Sequence, residues 1–201
     1  MIKRFFLVVI MLAMTVCRVS FADAEFWATG TFQFPIKENL KMNVIPEIRV
    51  RNNLGELYYW QTYVGPVLIL NKNYEAAAYY ALKYSKSGGN WTSGNLGYLD
   101  LVYKNDYFSN RGRIEYDNLL DTFKLRDSFQ LKKNGWFIGD ELFFNFKKGF
   151  LDEERIAVGY SSKMNGKTEL SLGYLLRRTK SIAGGDWMQS GGINSGLKIV
   201  F

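Results

Sequence analysis

Charged side chains recur at every second position along much of this chain. Glu47, Arg49 and Arg51 form one such series, Arg111, Arg113, Glu115 and Asp117 another, and Lys124 and Arg126 a third. Carboxylates and guanidiniums on one parity could act as general acids and bases, as the lining of a pore, or as ion pairs that neutralise one another. The chain has no histidine in its 201 residues. That absence removes Ser-His-Asp triads, His-based zinc sites and the commonest general base. No serine sits in a recognisable nucleophile context, so no catalytic residue is assigned and the chain is read as not an enzyme. Asp152-Glu153-Glu154, placed in a loop, lacks the regular ligand spacing of a calcium site. Gly184-Gly185 and Gly191-Gly192 precede no helix, so they are not phosphate loops. No metal ligand, cofactor-binding residue or cofactor is predicted, which leaves ion pairs or the lining of a pore.

A period of two belongs to strands, because successive side chains point to opposite faces. Strands are predicted over 25–36, 39–51, 56–71, 74–86, 92–104, 107–117, 121–132, 135–147, 153–163, 167–180 and about 190–201. Turn residues separate them, among them Gly88-Gly89-Asn90, Asn134-Gly135 and Asn165-Gly166, and Asn-Gly between alternating runs is a strong hairpin signal. Most of these runs exceed the five or six residues usual in soluble sheets and reach the roughly 9–11 that a tilted strand needs to cross a bilayer. Trp27, Tyr58-Tyr59-Trp60, Trp91, Tyr107, Trp136, Tyr160 and Trp187 fall near strand ends, as aromatic girdles at two bilayer interfaces would. Asp127 and Asp140 interrupt apolar parities and are read as bulges or strand ends. Pro46 is expected at a bulge or a missing ladder bond.

The chain begins with Lys3-Arg4, an apolar run from Phe5 to Cys17, and Ala22-Asp23-Ala24. The run is too short to span a bilayer, and the small-x-small tripeptide suits a signal peptidase, so cleavage is expected after Ala24. The predicted domains are a signal peptide at 1–24 and one β-barrel domain at 25–201. Loss of Cys17 would leave a cysteine-free mature chain without disulfides or thiolate sites. Loss of Lys3, Arg4, Arg18 and Asp23 lowers the 26 basic and 19 acidic residues to 23 and 18. So mild and dispersed an excess argues against nucleic-acid binding.

The last residues, Ile193 to Phe201, alternate and end in an aromatic, which resembles the signal that outer-membrane barrels present to their assembly machinery. Phe26-Trp27, Glu47-Ile48-Arg49-Val50-Arg51, Arg111-Gly112-Arg113-Ile114-Glu115-Tyr116 and Asp140-Glu141-Leu142-Phe143-Phe144-Asn145 together resemble the bacterial family catalogued as domain of unknown function 2490. The likeness covers essentially the whole mature chain. It implies an outer-membrane β-barrel and no particular activity.

The expected fold is all-β: a single closed antiparallel transmembrane β-barrel of ten to twelve strands. Even numbers are usual, whereas eleven segments are counted. In hydrocarbon every backbone N–H and C=O must be paired, so only a closed sheet can span. Leu40, Met42, Val44 and Ile48 should then face lipid, as should Leu170, Leu172 and Tyr174. The lumen should carry a charge network of Glu47, Arg49, Arg51, Arg111, Arg113, Glu115, Lys124, Arg126, Glu141, Arg155, Glu169 and Arg177. Glu141 is expected beside Lys124, Arg126 and Arg155, and Phe201 is the assembly signal. These charges either line an anion-favouring pore or fill a narrow barrel and stiffen it, and the strand number favours the filled form. The predicted location is the bacterial outer membrane, in contact with its lipid and lipopolysaccharide and, during biogenesis, with the barrel assembly machinery. The expected role is structural, or a narrow solute pathway with a charged lumen. The alternative is a soluble periplasmic barrel or sandwich that binds an apolar ligand.

Overall fold

The computed structural model describes residues 25–52, 55–180 and 186–201, so the expected signal peptide lies outside the described residues. Eleven strands follow one another: β1 Glu25–Lys37, β2 Leu40–Arg51, β3 Glu56–Ile69, β4 Tyr74–Ser87, β5 Asn90–Lys104, β6 Phe108–Asp117, β7 Thr122–Lys133, β8 Trp136–Asn145, β9 Phe150–Lys163, β10 Thr168–Lys180 and β11 Trp187–Val200. Among the described residues there is no helix. Each strand pairs with its sequence neighbours, and β1 pairs with β11 to close the barrel.

The closing pair is parallel, with Glu25 opposite Gly192 and Gln33 opposite Val200. This corrects the expectation of a fully antiparallel barrel. With an odd number of up-and-down strands the first and last run the same way, so only a parallel ladder can join them. The seam is clasped by the chain end: the Phe201 N–H donates to the Gln33 carbonyl at 3.0 Å, and the Phe201 ring stacks on Phe34 at 4.7 Å. The odd count also puts the two ends of the described chain on opposite rims. The C-terminal rim holds Phe201 and the turns that follow β1, β3, β5, β7 and β9. The N-terminal rim holds Glu25 and the turns that follow the even-numbered strands up to β8.

Two turn chemistries recur. On the C-terminal rim the Asn71 Oδ1 accepts N–H bonds from Asn73 and Tyr74, Asn105 from Tyr107 and Phe108, and Asn165 from Lys167 and Thr168. Each is an Asn side chain imitating a backbone turn. Asn134-Gly135 instead makes the tight two-residue hairpin, with φ of 52° and 84°, as does Gly88-Gly89 on the N-terminal rim, at 57° and 86°. Asn165-Gly166 has the same letters as Asn134-Gly135 but takes the Asn-capped form.

Alternation decides what faces in. Leu99 and Leu172 are each 61% exposed on the outer wall, and Ile48, Val64, Leu82, Ile114, Leu125, Ile138, Val158 and Leu170 are exposed with them. Glu47 and Arg49, each 8% exposed, lie inside. The interior also holds an apolar and aromatic cluster of Tyr63, Val67, Tyr79, Ala81, Leu96 and Tyr98. Trp27 and Tyr59 belong inside as well, which corrects their placement in an outer girdle: Trp27 shares the inward parity of β1 with Glu25 and Gln33, and its Nε1 donates to Glu25 at 2.7 Å.

Pro46 sits where the β1–β2 pairing lapses. The register runs through Thr29–Glu47 and resumes at Phe32–Val44 without a shift. Gly30 faces the gap, and a Cβ there would lie 3.2 Å from the Pro46 ring. Pro66 sits in a similar lapse between Val64–Tyr80 and Val67–Ala77. A closed barrel thus admits interior prolines by omitting ladder bonds locally.

Asp127 and Asp140 correct another expectation. Neither lies at a bulge or a strand end: the β6–β7 and β7–β8 registers run unbroken past both. They sit midway along β7 and β8 and point outward with Asn110 and Glu154. Asp127 accepts from Asn110 Nδ2 at 2.8 Å, and Glu154 pairs with Arg178 at 2.8 Å.

Candidate functional site

The inward parities of β1, β2, β3, β7, β8 and β9 build one continuous stack across the lumen. The Arg49 guanidinium lies 3.8 Å from the Trp27 ring centroid and 4.1 Å from that of Tyr59. Arg155 lies 4.9 Å from the other side of the stack at Trp27 and 4.3 Å from Phe143, and Arg126 lies 4.5 Å from Phe143. The order is Tyr59, Arg49, Trp27, Arg155, Phe143, Arg126. A guanidinium over an aromatic face is held by the ring quadrupole, and more strongly where water is excluded.

Carboxylates neutralise the stack from its flanks. Glu141 receives Arg111 Nη2 at 2.7 Å, Arg126 Nη2 at 3.0 Å and Arg155 Nη1 at 3.1 Å. Glu153 receives Arg155 Nε at 2.6 Å and Arg177 Nε at 2.9 Å. Glu115 holds the remaining arm of Arg126 at 3.0 Å. Glu47 accepts Arg49 Nε at 2.6 Å and the Tyr63 hydroxyl at 2.8 Å. Beside this network Arg113, only 2% exposed, makes a two-pronged pair with Asp100 at 2.6 Å on each arm, with its guanidinium 4.4 Å from the Tyr98 ring. Buried ions persist only when paired and hydrogen-bonded. This cluster satisfies both conditions almost throughout, Arg126 Nε being an unbonded exception.

The site is a web of ion pairs. Its carboxylates are each held by at least one guanidinium, and no nucleophile with a base stands among them. Among the described residues no group of three or more acidic, Cys or His side chains could hold a metal ion.

The predicted charges divide three ways. Glu47, Arg49, Arg111, Glu115, Arg126, Glu141, Arg155 and Arg177 come together in the network, and Arg113 stands beside it with Asp100. Arg51 is at the N-terminal rim, paired with Glu56 at 3.0 Å. Lys124 turns away from Glu141 to Asp152, at 3.5 Å, so Arg111 and not Lys124 is the third cation on Glu141. Glu169, on β10 near the C-terminal rim, makes no ion pair among the described residues. Glu153 and Asp152, assigned above to a loop, lie in β9 and face inward together. A register shift opposite Phe143–Phe144 takes up the extra residue that this requires. Asp100 was legible in principle, since it lies between Leu99 and Leu101 on the parity opposite to theirs. The stacking of Trp27 had no sequence signal.

The two mouths differ. At the N-terminal rim Lys83 pairs with Asp117, Lys86 with Glu56 at 3.3 Å, and Lys148 with Asp152 at 3.2 Å. At the C-terminal rim Lys41 and Lys104 share one oxygen of Glu75, at 2.8 and 2.5 Å. Beneath them Gln33 Nε2 donates to Asn43 Oδ1, and Asn43 Nδ2 donates to the Tyr79 hydroxyl, both at 3.1 Å. An apolar depression of about 610 Å³ lies on the outer wall across the seam, lined by Ala28, Gly30, Pro46, Leu172, Ser195 and Leu197 among others.

A sequence model of the family described as Protein of unknown function (DUF2490) matches residues 24–189. No curated protein matches the chain. The match spans most of the sequence, and the chain belongs to that family.

Proposed function

We propose that this DUF2490 member is a small, non-enzymatic β-barrel of the bacterial outer membrane, exported by a signal peptide removed after Ala24. The outward parity carries the reading. Leu170, Leu172, Ile48, Val64, Leu82, Leu99, Ile114 and Leu125 turn away from the lumen and are exposed around the wall. Apolar area left in water costs about 25 cal/mol per Å², and soluble monomers rarely expose contiguous apolar patches beyond a few hundred Å². A bilayer removes that cost, and a closed ladder leaves no unpaired strand edge in hydrocarbon.

Within that setting the barrel is a structural protein whose narrow, charged lumen is braced shut by the guanidinium–aromatic stack. Its partners are outer-membrane lipid and lipopolysaccharide, and the assembly machinery that reads the strand ending in Phe201. Two measurements test this. The unboiled protein should migrate differently from the boiled protein in a detergent gel and fractionate with outer membranes; recovery in the soluble periplasmic fraction sinks the membrane reading. Folded protein in planar bilayers should be electrically silent, and stable single-channel currents would replace the brace with a pore.

A second reading, a soluble periplasmic barrel that binds an apolar ligand, is favoured by Asp127, Asp140 and Glu154 on the outer wall. Carboxylates at mid-strand are costly against lipid and cost nothing in water. The same fractionation separates the two readings.

A further inference from the structure

We infer that the C-terminal mouth of the lumen is a binding site for a small phosphate-type oxyanion. Inward-facing residues from β2, β4, β5, β9, β10 and β11 line it. Lys198 on β11 stands in the combined field of Lys41, Lys104, Glu75 and Glu169. The register places Glu169 directly opposite Lys198 and Lys163 directly opposite Glu169, all three on the inward parity. Glu75 is already engaged by two lysines through one oxygen. Lys198 and Lys163 make no ion pair among the described residues. The mouth therefore gathers four ammoniums against two carboxylates, whereas the lysines named at the opposite mouth are all paired.

The floor is polar and finite. Gln33 and Asn43 are buried, and Asn43 donates to the Tyr79 hydroxyl, whose own proton has no acceptor among the described residues. Deeper than Asn43, Tyr63, Ala81, Leu96 and Tyr98 pack against one another in the interior, an apolar and aromatic layer under the polar floor. The donors select the anion. Ammoniums on flexible stems act as point charges that approach from several directions, and they suit a compact oxyanion such as phosphate. The site depends on the barrel and not on its surroundings, so it stands whether the wall meets lipid or water.

The test is isothermal titration of the folded full-length barrel, in phosphate-free detergent micelles, with inorganic phosphate at constant ionic strength. One saturable event is expected. Lys198→Gln should weaken it at least tenfold, Lys198→Arg should largely restore it, and Lys86→Gln at the opposite mouth should leave it unchanged. Heat-modifiable migration checks that every variant is folded. If the barrel proves soluble without detergent, the membrane reading fails, and the same titration in buffer still decides this one. Titration with glycerol 3-phosphate separates the source: tighter binding of the ester marks a phosphomonoester headgroup, and equal or weaker binding marks the free ion. Absence of a saturable event in folded wild-type protein, or Lys198→Gln binding within twofold of wild type, overturns the inference.

Discussion

The two halves of the lumen use charge in opposite ways. Toward the N-terminal rim the cations are mostly arginines, interleaved with Trp27, Tyr59 and Phe143 and fixed by Glu141, Glu153, Glu47 and Glu115. Toward the C-terminal rim they are lysines, one pair sharing Glu75 and others unpaired. Planar guanidiniums that stack and fork suit a closed, dry brace, whereas compact ammoniums on mobile stems keep their hydration and suit a wet mouth. The stacked cations are thus arginines, while lysines occupy both rims, paired at the N-terminal one and partly unpaired at the C-terminal one.

Substitutions should separate the halves by the size of their cost. Glu141→Gln removes the anion shared by Arg111, Arg126 and Arg155, and an uncompensated buried charge costs about 3–5 kcal/mol. Urea unfolding of the micellar barrel should show that loss, and a cost below 1 kcal/mol would mean that the brace is hydrated. Asp100→Asn, which strands Arg113, should cost roughly 3 kcal/mol, while the double variant Asp100→Leu/Arg113→Met should recover most of it. Failure of the double variant to recover would assign the pair a role in shape as well as charge. Phe201→Ala loses the stack on Phe34, about 0.5–1.5 kcal/mol. It should lower the temperature at which the folded gel band disappears and should not alter the lumen. Lys104→Gln at the wet mouth should cost below about 1 kcal/mol, because its side chain is 43% exposed. A Lys104 effect as large as that of Glu141 would erase the distinction between the halves.

Much of this is legible in the sequence, and the reason is parity. Once a strand is placed, one residue such as Leu172 fixes the facing of all its neighbours, so the inward sets of β2, β6 and β7 could be written down directly. What was hidden depended on events that break or escape parity. The shift opposite Phe143–Phe144 put Asp152 and Glu153 on the same side, and no residue type in 150–155 announces it. Trp27 reads as an interfacial aromatic from its place near a strand end, although it shares its parity with Glu25 and Gln33 and so faces inward. Lys124 and Arg111 were interchangeable from sequence, since both are inward cations on strands near Glu141. The parallel closure followed from the strand count, but the expectation of an even number stood against it.

The seam has a consequence for how the molecule must come together. Ten of its eleven ladders join strands that are neighbours in sequence, each closable as a local hairpin. The eleventh joins Glu25 to Gly192 across almost the whole described chain. Bringing such distant ends together costs roughly 2–3 kcal/mol more in chain entropy than closing a ten-residue hairpin. Long-range pairing of this kind waits until local contacts have shortened the search. The sheet is therefore expected to grow hairpin by hairpin as an open, curling ribbon and to become a barrel in a single late event. Until then β1 and β11 present two bare edges, and a strand from a second chain could add to either one. The β1–β11 ladder ends that exposure, and the stack of Phe201 on Phe34 fastens its last residue.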